Sequence, residues 1–183
     1  MRRTGLTGAA LVTGGARRLG RAMALYLAGR GLDVAVHYST SQGDADAVVG
    51  EIRAMGRKAV ALGADLLDET ETEGLIERAT GALGGPLTVL VNNASIFEYD
   101  TMQTATRDSG DRHIGSNLRA PFVLIQGFAA QAPKAKIIDG EPRAQALVIN
   151  MVDQRVLKPT PEFMTYSLAK AGLWALTRTA AQA

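Results

Sequence analysis

Tyr166 and Lys170 are the residues whose spacing most directly indicates chemistry. They stand four positions apart in a stretch that reads Met-Thr-Tyr-Ser-Leu-Ala-Lys, so a helix would carry both side chains on one face. An ammonium beside a phenol favours the phenolate and lowers the phenol pKa from its ordinary value of about 10. The pair therefore predicts a tyrosine that acts as a general acid near neutral pH, although this spacing also arises by chance.

A glycine-rich turn follows the first apolar segment of the chain. Residues 9–12 predict a short buried strand, and residues 13–20 read Thr-Gly-Gly-Ala-Arg-Arg-Leu-Gly before a helical pattern over 18–30. Glycines at a strand-to-helix turn let backbone amides approach a pyrophosphate, and the helix N-terminus favours its negative charge. The spacing differs from the general dinucleotide fingerprint, so an ordinary glycine-rich turn is the alternative interpretation.

Two further apolar runs end in polar residues. Residues 87–95 read Leu-Thr-Val-Leu-Val-Asn-Asn-Ala-Ser, and residues 146–153 read Ala-Leu-Val-Ile-Asn-Met-Val-Asp. Together with the glycine turn and the tyrosine–lysine pair, these runs resemble the short-chain dehydrogenase/reductase family. In that family the turn binds the cofactor, an Asn-Asn-Ala segment follows the fourth strand, and a serine precedes the catalytic tyrosine. The four landmarks occur in order across residues 13–170, so the resemblance covers nearly the whole chain.

Two departures from the general family pattern narrow the resemblance. Arg18 stands where most members have the middle glycine of the turn, and Asp153 stands where most have the catalytic serine. With the segments 93–97 and 150–153, and with His-Tyr-Ser at 37–39, these departures resemble the pteridine reductases and the related dihydromonapterin reductases. The resemblance thus implies a reductase that acts on a pterin.

Strands and helices alternate along the chain. Strands are predicted near 9–13, 33–38, 58–63, 87–92 and 144–150, and helices near 18–30, 43–55, 69–83, 110–131 and 163–182. This order predicts an α/β fold of the Rossmann type, with a doubly wound parallel sheet covered on both faces.

We expect residues 1–183 to form a single NADP-binding domain. The resemblance implies further strands after the tyrosine–lysine helix, so we expect the domain to lack its C-terminal strands. The fifth strand would then form an unprotected sheet edge. Residues 133–143 are expected to form an exposed loop, to which we assign no function.

Composition excludes several classes of protein. Hydrophobic residues make up 46% and charged residues 21% of the chain, as in an average globular domain. The net charge of +2 is too small to indicate nucleic acid or a membrane as a partner. The chain has no cysteine, which excludes disulfides and thiolate metal sites, and we expect no metal. No apolar stretch approaches the roughly 20 residues of a membrane span, so we expect a cytoplasmic enzyme.

The residues after the second predicted strand favour NADPH as the cofactor. Enzymes that prefer NAD place an acidic residue about 20 positions after the glycine turn, where it binds the ribose 2′-hydroxyl. Residues 36–41 contain no acidic side chain. Arg17 and Arg18 can instead surround a 2′-phosphate, and so can His37 and the hydroxyls of residues 39–41, among them Ser39. The alternative is that both arginines are solvated residues of the first helical turn.

The resemblance implies a larger cofactor-binding set around these residues. Asp65 resembles the family's aspartate that contacts adenine, although it can equally cap a helix. The complete set comprises Gly14, Arg17, Arg18, Leu19, Gly20, His37, Tyr38, Ser39, Asp65, Leu66, Asn93, Ala94, Ser95, Tyr166 and Lys170.

The resemblance also assigns the catalytic roles. Tyr166 is the proton donor, and Lys170 holds the nicotinamide ribose and lowers the tyrosine pKa. Asn117 matches the family asparagine that supports a water relay to the lysine, whereas its sequence context alone indicates only a polar helix residue. His113 is expected on a helix surface and receives no role. The helices near 110–131 and 163–182 are implied as faces of a homodimer or homotetramer.

Asp153 bears on the substrate. A serine at this position donates a hydrogen bond to a carbonyl oxygen, whereas an ionised aspartate can only accept one. Asp153 therefore suits a substrate rich in N–H groups, such as a pterin, unless partial burial keeps it protonated. The alternative is that Asp153 merely caps a turn and that the enzyme is a crippled ketoreductase. By the resemblance, Phe97 stacks on the flat pterin ring and Ser95 contacts the cofactor or the pterin, although Phe97 can also be plain packing.

These observations predict an NADPH-dependent reductase that transfers a hydride to dihydrobiopterin, dihydromonapterin or dihydrofolate, with catalytic residues Tyr166, Lys170, Asp153 and Asn117. One alternative is a carbonyl or 3-oxoacyl reductase of the same fold. Another is a non-catalytic NADPH-binding regulator, against which the intact set of catalytic residues argues.

Overall fold

Apolar runs separated by amphipathic helices form the framework of the molecule. The computed structural model describes residues 7–182, so the predicted domain limits at residues 1 and 183 lie outside the described part. The strands are β1 (Ala9–Val12), β2 (Asp33–Tyr38), β3 (Ala59–Gly63), β4 (Leu87–Asn92), β5 (Lys136–Ile138), β6 (Glu141–Arg143) and β7 (Leu147–Asn150). The helices are α1 (Arg18–Gly29), α2 (Gln42–Ala54), α3 (Glu69–Leu83), α4 (Arg107–Ile114), α5 (Ala120–Gln131) and α6 (Met164–Ala180).

The main sheet has five strands in the order β3-β2-β1-β4-β7, and every neighbouring pair is parallel. Successive residues of β1 face opposite sides of the sheet. Ala10 and Val12 belong to the core cluster that includes α1 and α2, whereas Ala9 and Leu11 belong to the cluster that includes α3 and α5. Both faces are therefore covered by helices, and the predicted doubly wound α/β fold is confirmed. Each fully buried Val or Leu contributes about 1.5–3 kcal/mol to this core.

β7 lies at one edge of the sheet, as predicted for the fifth strand. It pairs with β4 on one side, and the side chains of Leu147 and Ile149 are 55% and 37% exposed. Asn150, the last residue of β7, accepts a hydrogen bond from Asn92 and donates one to Thr177 of α6. These amide contacts fix the end of the strand directly before Asp153.

The predicted helix over 110–131 is divided into three parts. A π-helical turn (Gly115–Arg119) separates α4 from α5, and across it the Ala120 N–H bonds to the Gly115 carbonyl. One extra residue in a turn rotates the side chains that follow, and such turns are frequent at functional sites. Asn117 lies in the middle of this turn.

Residues 133–143, predicted as a loop, contain a small antiparallel hairpin of β5 and β6. Asp139 and Gly140 form its turn with φ values of 53° and 80°. Two successive positive φ values suit an Asp-Gly turn whose twist matches the flanking strands. All residues of both strands are exposed, so the hairpin projects from the surface, as expected.

Candidate active site

The glycine turn between β1 and α1 is packed too tightly for larger residues. Gly14 has a φ of +60°, and a Cβ on Gly20 would lie 2.0 Å from the Gly14 carbonyl oxygen and 2.6 Å from Asn93 Nδ2. Gly20 therefore lets α1 begin directly against the turn. The N-cap residue of α1, Arg17, makes no side-chain cap hydrogen bond, so the first N–H groups of the helix carry partial positive charge at the turn.

The segment after β4 closes over this turn. Asn93 Nδ2 donates to the carbonyl oxygens of Thr13 at 2.9 Å and Gly14 at 3.2 Å. The backbone N–H groups of Asn93 and Ala94 both donate to the Thr13 hydroxyl, at 2.9 and 3.0 Å. The predicted Asn-Asn-Ala landmark therefore fixes the shape of the glycine turn from the neighbouring strand.

Arg18, which stands where the family that the chain resembles mostly has glycine, adopts a left-handed backbone conformation. Its φ is 48°, in the left-handed region that costs a side-chain-bearing residue about 1–2 kcal/mol. A strained arginine at the start of a helix indicates a functional constraint. Its neighbour Arg17 is 67% exposed and pairs with Asp44 of α2. The Arg17 guanidinium is thus turned toward α2.

His37 does not support the predicted contact with a 2′-phosphate. Its side chain is buried, with a relative exposure of 2%. Nδ1 accepts a hydrogen bond from the Gly14 N–H at 3.0 Å, so Nε2 carries the proton and donates to the Ala64 carbonyl at 3.0 Å. Burial lowers the pKa of His37, which keeps the ring neutral. The histidine holds the glycine turn, and both ring nitrogens are already used.

A cleft at the carboxyl ends of β2, β3 and β4 brings together several predicted cofactor residues. Asp65 is exposed there, and its Oδ1 accepts the Leu67 N–H at 3.0 Å. The cap of α3 is instead Asp68, so the helix-cap alternative for Asp65 is wrong. Leu67, Ile96 and Ser116 also line the cleft and were not predicted. The predicted residues along it are His37, Ser39, Asp65, Leu66, Ala94 and Ser95.

Tyr38 and Leu19 lie outside this cleft. The ring of Tyr38 packs against Gly63, because a Cβ on that glycine would lie 3.0 Å from the Tyr38 hydroxyl. Leu19 is 56% exposed on the first turn of α1. The structure gives neither side chain a contact that indicates its role.

Tyr166 and Lys170 share one face of α6, as predicted, and both are buried. The Tyr166 hydroxyl donates to Asp153 Oδ2 at 3.0 Å. Lys170 Nζ donates to the Met151 carbonyl at 2.8 Å and lies 5.7 Å from the centroid of the tyrosine ring. The segment after β7 thus meets α6 and supplies a hydrogen-bond acceptor to each catalytic candidate.

The predicted direction of the Tyr166 pKa is wrong in this arrangement. Burial raises the pKa of Tyr166 to about 12, and the hydrogen bond to the Asp153 carboxylate adds to the rise. Burial also lowers the pKa of Lys170 to about 8, against its ordinary 10.5. The Asp153 carboxylate accepts a hydrogen bond directly from the Tyr166 hydroxyl, whereas Lys170 donates to the Met151 carbonyl. Tyr166 therefore keeps its proton firmly at neutral pH.

Asp153 is an ionised acceptor. Burial by itself raises the pKa of Asp153, but hydrogen bonds from the Arg155 N–H and the Tyr166 hydroxyl outweigh burial, and the Arg155 charge adds to their effect. The pKa of Asp153 consequently lies below its ordinary value, and the alternative of a protonated carboxyl is not supported. Asp153 also caps the 3₁₀ turn (Gln154–Val156), so the predicted capping role is confirmed. Its second oxygen still faces Tyr166.

Asn117 is fully buried in the π-helical turn. Its Nδ2 donates to the Ile96 carbonyl at 2.9 Å. Its Oδ1 is also buried and has no hydrogen-bond partner among residues 7–182. An unpaired buried acceptor is costly unless a water or ligand satisfies it. This environment fits a water-binding role better than that of an ordinary polar helix residue.

An aromatic cluster adjoins the Tyr166 hydroxyl. Phe97, which is 52% exposed, stacks face to face on Phe163 with centroids 4.2 Å apart and planes at 9°. The edge contact between Phe97 and Tyr166 has a centroid distance of 4.7 Å. Tyr99 meets Phe163 edge-on at 5.3 Å. Phe97 is therefore part of an aromatic wall made of Phe97 and Phe163, and Phe163 was not predicted.

A second polar network holds the start of α6. Asp100 is 2% exposed, and its carbonyl accepts the Phe163 N–H at 2.8 Å. Its Oδ1 accepts the Thr165 N–H at 3.2 Å, and its Oδ2 accepts the Thr165 hydroxyl. The residue before α6, Phe163, has a positive φ of 55° and no side-chain cap, so Asp100 satisfies the first turn from a distant segment.

His113 belongs to this network, and its predicted position on a helix surface is wrong. The side chain is fully buried. Nε2 accepts the Glu98 N–H at 3.1 Å, so Nδ1 carries the proton and donates to the Thr165 hydroxyl at 2.7 Å. The segment before α4 folds back over the helix and buries the ring. A chain of hydrogen bonds therefore runs from Glu98 through His113 and Thr165 to Asp100, directly beside Tyr166.

Membrane-spanning helices and metal clusters are absent from the described residues 7–182. No helix within residues 7–182 is long and apolar enough to cross a membrane. The same residues contain no group of three or more His, Cys, Asp or Glu side chains arranged to hold a metal ion.

Comparison with known proteins agrees with this geometry. A sequence profile described as short chain dehydrogenase matches residues 8–183. The chain is 34% identical over 177 residues to 3-oxoacyl-(acyl-carrier-protein) reductase FabG from Staphylococcus aureus, covering 97% of this chain and 68% of the relative.

Solved structures similar to this chain include an alternative dihydrofolate reductase and a short chain dehydrogenase, both with bound NADP. FolM alternative dihydrofolate reductase 1 from Brucella canis, complexed with NADP, has a TM-score of 0.87 and 36% identity over 99% of this chain and 69% of that chain. A short chain dehydrogenase from Burkholderia cenocepacia, also in complex with NADP, has a TM-score of 0.88 and 33% identity over 98% and 69% of the two chains. The present chain belongs to the short-chain dehydrogenase/reductase family.

Proposed function

We propose that the chain is an NADPH-dependent reductase that transfers a hydride to a pterin, such as dihydrobiopterin, dihydromonapterin or dihydrofolate. The observation that carries this proposal is the ionised Asp153 carboxylate, hydrogen-bonded to the proton donor Tyr166 at 3.0 Å where most family members have a serine. An acceptor-only group at the reacting edge selects a substrate that offers N–H donors. A reduced pterin is such a substrate, whereas a simple ketone is not.

The residues present fit NADPH. Gly14 and Gly20 leave a close approach to the backbone at the start of α1, where a side chain on Gly20 would collide with the turn. The uncapped helix N-terminus favours a pyrophosphate, and the strained Arg18 with its neighbour Arg17 supplies charge for a 2′-phosphate. Structures similar to this chain are crystallised with NADP or NADPH. When bound, NADPH supplies the hydride.

Tyr166 supplies the proton in the proposed reaction. Its pKa of about 12 keeps the phenol protonated at working pH, and the hydrogen bond to Asp153 fixes the direction of the hydroxyl. Lys170 and the unpaired Asn117 Oδ1 are buried on the inner side of the site, where Asn117 can order a water. We propose that they restore the proton on Tyr166 from solvent.

Phe97 supplies the surface for a flat ring. One face of its ring is stacked on Phe163, but 52% of the side chain is exposed beside Tyr166, so aromatic area remains for a ligand. Such stacking contributes about 0.5–1.5 kcal/mol beyond burial. Two of the similar structures are FolM alternative dihydrofolate reductases, at 36% and 37% identity, which supports a pterin-type substrate.

A 3-oxoacyl reductase is the second candidate. FabG proteins from Staphylococcus strains are among the sequence relatives, at 34% identity. A non-catalytic NADPH-binding regulator is a weaker alternative, because it needs neither Tyr166 nor Lys170. The single domain over 1–183, the cytoplasmic location and the homodimer or homotetramer all stay predictions.

Replacement of Asp153 by Ser separates the two enzyme candidates. With a pterin and with a 3-oxoacyl thioester as paired substrates, we expect Asp153→Ser to lose pterin reduction about tenfold or more and to gain reduction of the ketone, because a hydroxyl can donate to its oxygen. Asp111→Ser on the exposed face of α4 is the matched control. Wild-type protein that reduces only the oxoacyl thioester would refute the pterin proposal.

A further inference from the structure

Arg155 follows Asp153 in the 3₁₀ turn and contacts it twice. The backbone N–H of Arg155 donates to Asp153 Oδ1 at 2.8 Å, and the guanidinium Nη1 lies 3.5 Å from the same oxygen. The other oxygen, Oδ2, accepts the Tyr166 hydroxyl. The two carboxylate oxygens are thus divided between Arg155 and the proton donor.

The same guanidinium also contacts the aromatic wall. Its Cζ lies 4.9 Å from the ring centroid of Phe163 and 5.6 Å from that of Phe97. Its Nε donates to the Thr160 hydroxyl at 3.3 Å, and the side chain is only 18% exposed. An arginine with an anion at one edge and aromatic rings near it is held by several weak contacts at once.

We propose that Arg155 is a positioning residue of this site, which holds the Asp153 carboxylate on Tyr166 and ties that carboxylate to the aromatic wall of Phe97 and Phe163. The inference rests on the proposed function in one respect: it takes Asp153 and Phe97 to contact the substrate. Through this one side chain, the acceptor and the stacking surface keep a fixed distance from each other. Arg155 itself touches no reacting atom.

Among the charged groups around Asp153, Arg155 is the one that can hold its carboxylate in place. The groups that face the carboxylate are Arg155 from its own turn and Tyr166 and Lys170 from α6. Lys170 directs its ammonium to the Met151 carbonyl, and burial lowers its pKa to about 8. A guanidinium stays charged at every working pH. Removal of the Arg155 side chain therefore leaves Asp153 without its permanent cation, and the pKa of Asp153 rises.

A carboxyl titration tests this without any substrate. Protein labelled with ¹³C at the aspartate carboxyls is titrated by NMR, and the Asp153 signal is assigned by its loss in Asp153→Asn. We expect Asp153 to titrate at higher pH in Arg155→Leu than in wild type, and at an intermediate position in Arg155→Lys. Arg107→Leu, whose arginine pairs with Asp111 on the surface, is the matched control and should leave the Asp153 titration unchanged.

Kinetics supply the second readout. We expect Arg155→Leu to lower kcat/KM for the pterin by about tenfold or more, as charge-assisted hydrogen bonds of this kind allow, and to shift the acid limb of the pH profile upward. Arg155→Lys should recover part of both effects, because a merely structural defect would not respond to charge. Superimposable Asp153 titrations in wild type and Arg155→Leu would overturn the inference. Wild type that reduces no pterin defeats the proposed function instead, and the titration still decides the role of Arg155.

Discussion

The Tyr166 hydroxyl donates a hydrogen bond to Asp153 Oδ2 at 3.0 Å, so the candidate proton donor is hydrogen-bonded to a carboxylate. Burial and this hydrogen bond raise the pKa of Tyr166 to about 12. Before substrate binds, the Tyr166 hydroxyl is therefore protonated. A substrate atom that takes the proton must replace Asp153 as the acceptor, which makes the position of that carboxylate part of the chemistry.

The pH dependence of cofactor binding should report Lys170 rather than Tyr166. Burial lowers the pKa of Lys170 to about 8, so its ammonium loses the proton as pH rises through that value, whereas Tyr166 stays protonated. We expect the Kd for NADPH, measured by fluorescence titration, to rise above about pH 8, and the rise to vanish in Lys170→Arg. If the Kd of Lys170→Arg still rose above about pH 8, the titrating group would be one other than Lys170.

The same shift has a consequence for stability. The folded pKa of Lys170, about 8, lies below its ordinary 10.5, so the unfolded chain binds more protons between those two values. The contribution of Lys170 to the free energy of unfolding therefore rises with pH across that window and is constant outside it. Urea unfolding of wild type and Lys170→Met at several pH values measures the difference.

Gly20→Ala should damage the glycine turn. The added Cβ would lie 2.0 Å from the Gly14 carbonyl oxygen and 2.6 Å from Asn93 Nδ2, so α1 must move away from the turn. We expect a loss of about 1–3 kcal/mol in the free energy of unfolding, together with weaker NADPH binding. Gly50→Ala, in an open position of α2, should instead stabilise the protein by about 0.5–1 kcal/mol. Equal changes in the free energy of unfolding from the two variants would show that the added Cβ at Gly20 does not collide with the turn.

The network at the start of α6 gives a further prediction. Thr165→Val keeps the shape of the side chain but removes the hydroxyl that joins His113 to Asp100. Two buried groups then lose a partner, and we expect the free energy of unfolding to fall by about 1–3 kcal/mol, with a lower kcat because Tyr166 is less firmly placed. Thr165→Ser should behave like wild type, as should Thr179→Val at an exposed position. A serine variant as damaged as the valine variant would show that volume, rather than hydrogen bonding, matters here.

Phe97→Leu tests the aromatic wall. Leucine keeps an apolar side chain but loses the stack on Phe163 and the edge contact with Tyr166. Leucine also offers no aromatic face to a bound pterin. Since aromatic stacking contributes about 0.5–1.5 kcal/mol, we expect KM for the pterin to rise by about two- to tenfold with little change in the Kd for NADPH. Tyr26→Leu, exposed on α1, serves as the control. A KM unaffected by Phe97→Leu would remove this ring from the substrate site.

Local patterns predicted the framework well because buried parallel strands and glycine turns leave signals in a few adjacent residues. β1 and the turn after it are one such case, since every residue of β1 is buried and Gly14 has the positive φ that glycine supplies. The π-helical turn at Gly115–Arg119 leaves no such signal, because the same residues suit an ordinary α-helix. The turn packs against α6, a segment much further along the chain that no local window includes.

Contacts between distant segments account for what sequence could not predict. His113 is buried because its ring meets Glu98 and Thr165, which no local window around it includes. The Tyr166 pKa was predicted from Lys170 alone, whereas the structure places the Asp153 carboxylate nearer to the hydroxyl. Arg155 carried no motif at all, and only its contacts with Asp153 and the aromatic wall single it out.

Steady-state NADPH oxidation with dihydrobiopterin and dihydrofolate tests the central claim most directly. NADH serves as the comparison cofactor and Tyr166→Phe as the catalytic control. We expect turnover with NADPH and a pterin that falls by about 10²–10⁴-fold in Tyr166→Phe, because the phenol hydroxyl is the proton donor. A protein that binds NADPH but reduces no pterin, or whose pterin turnover survives in Tyr166→Phe, would contradict the claim.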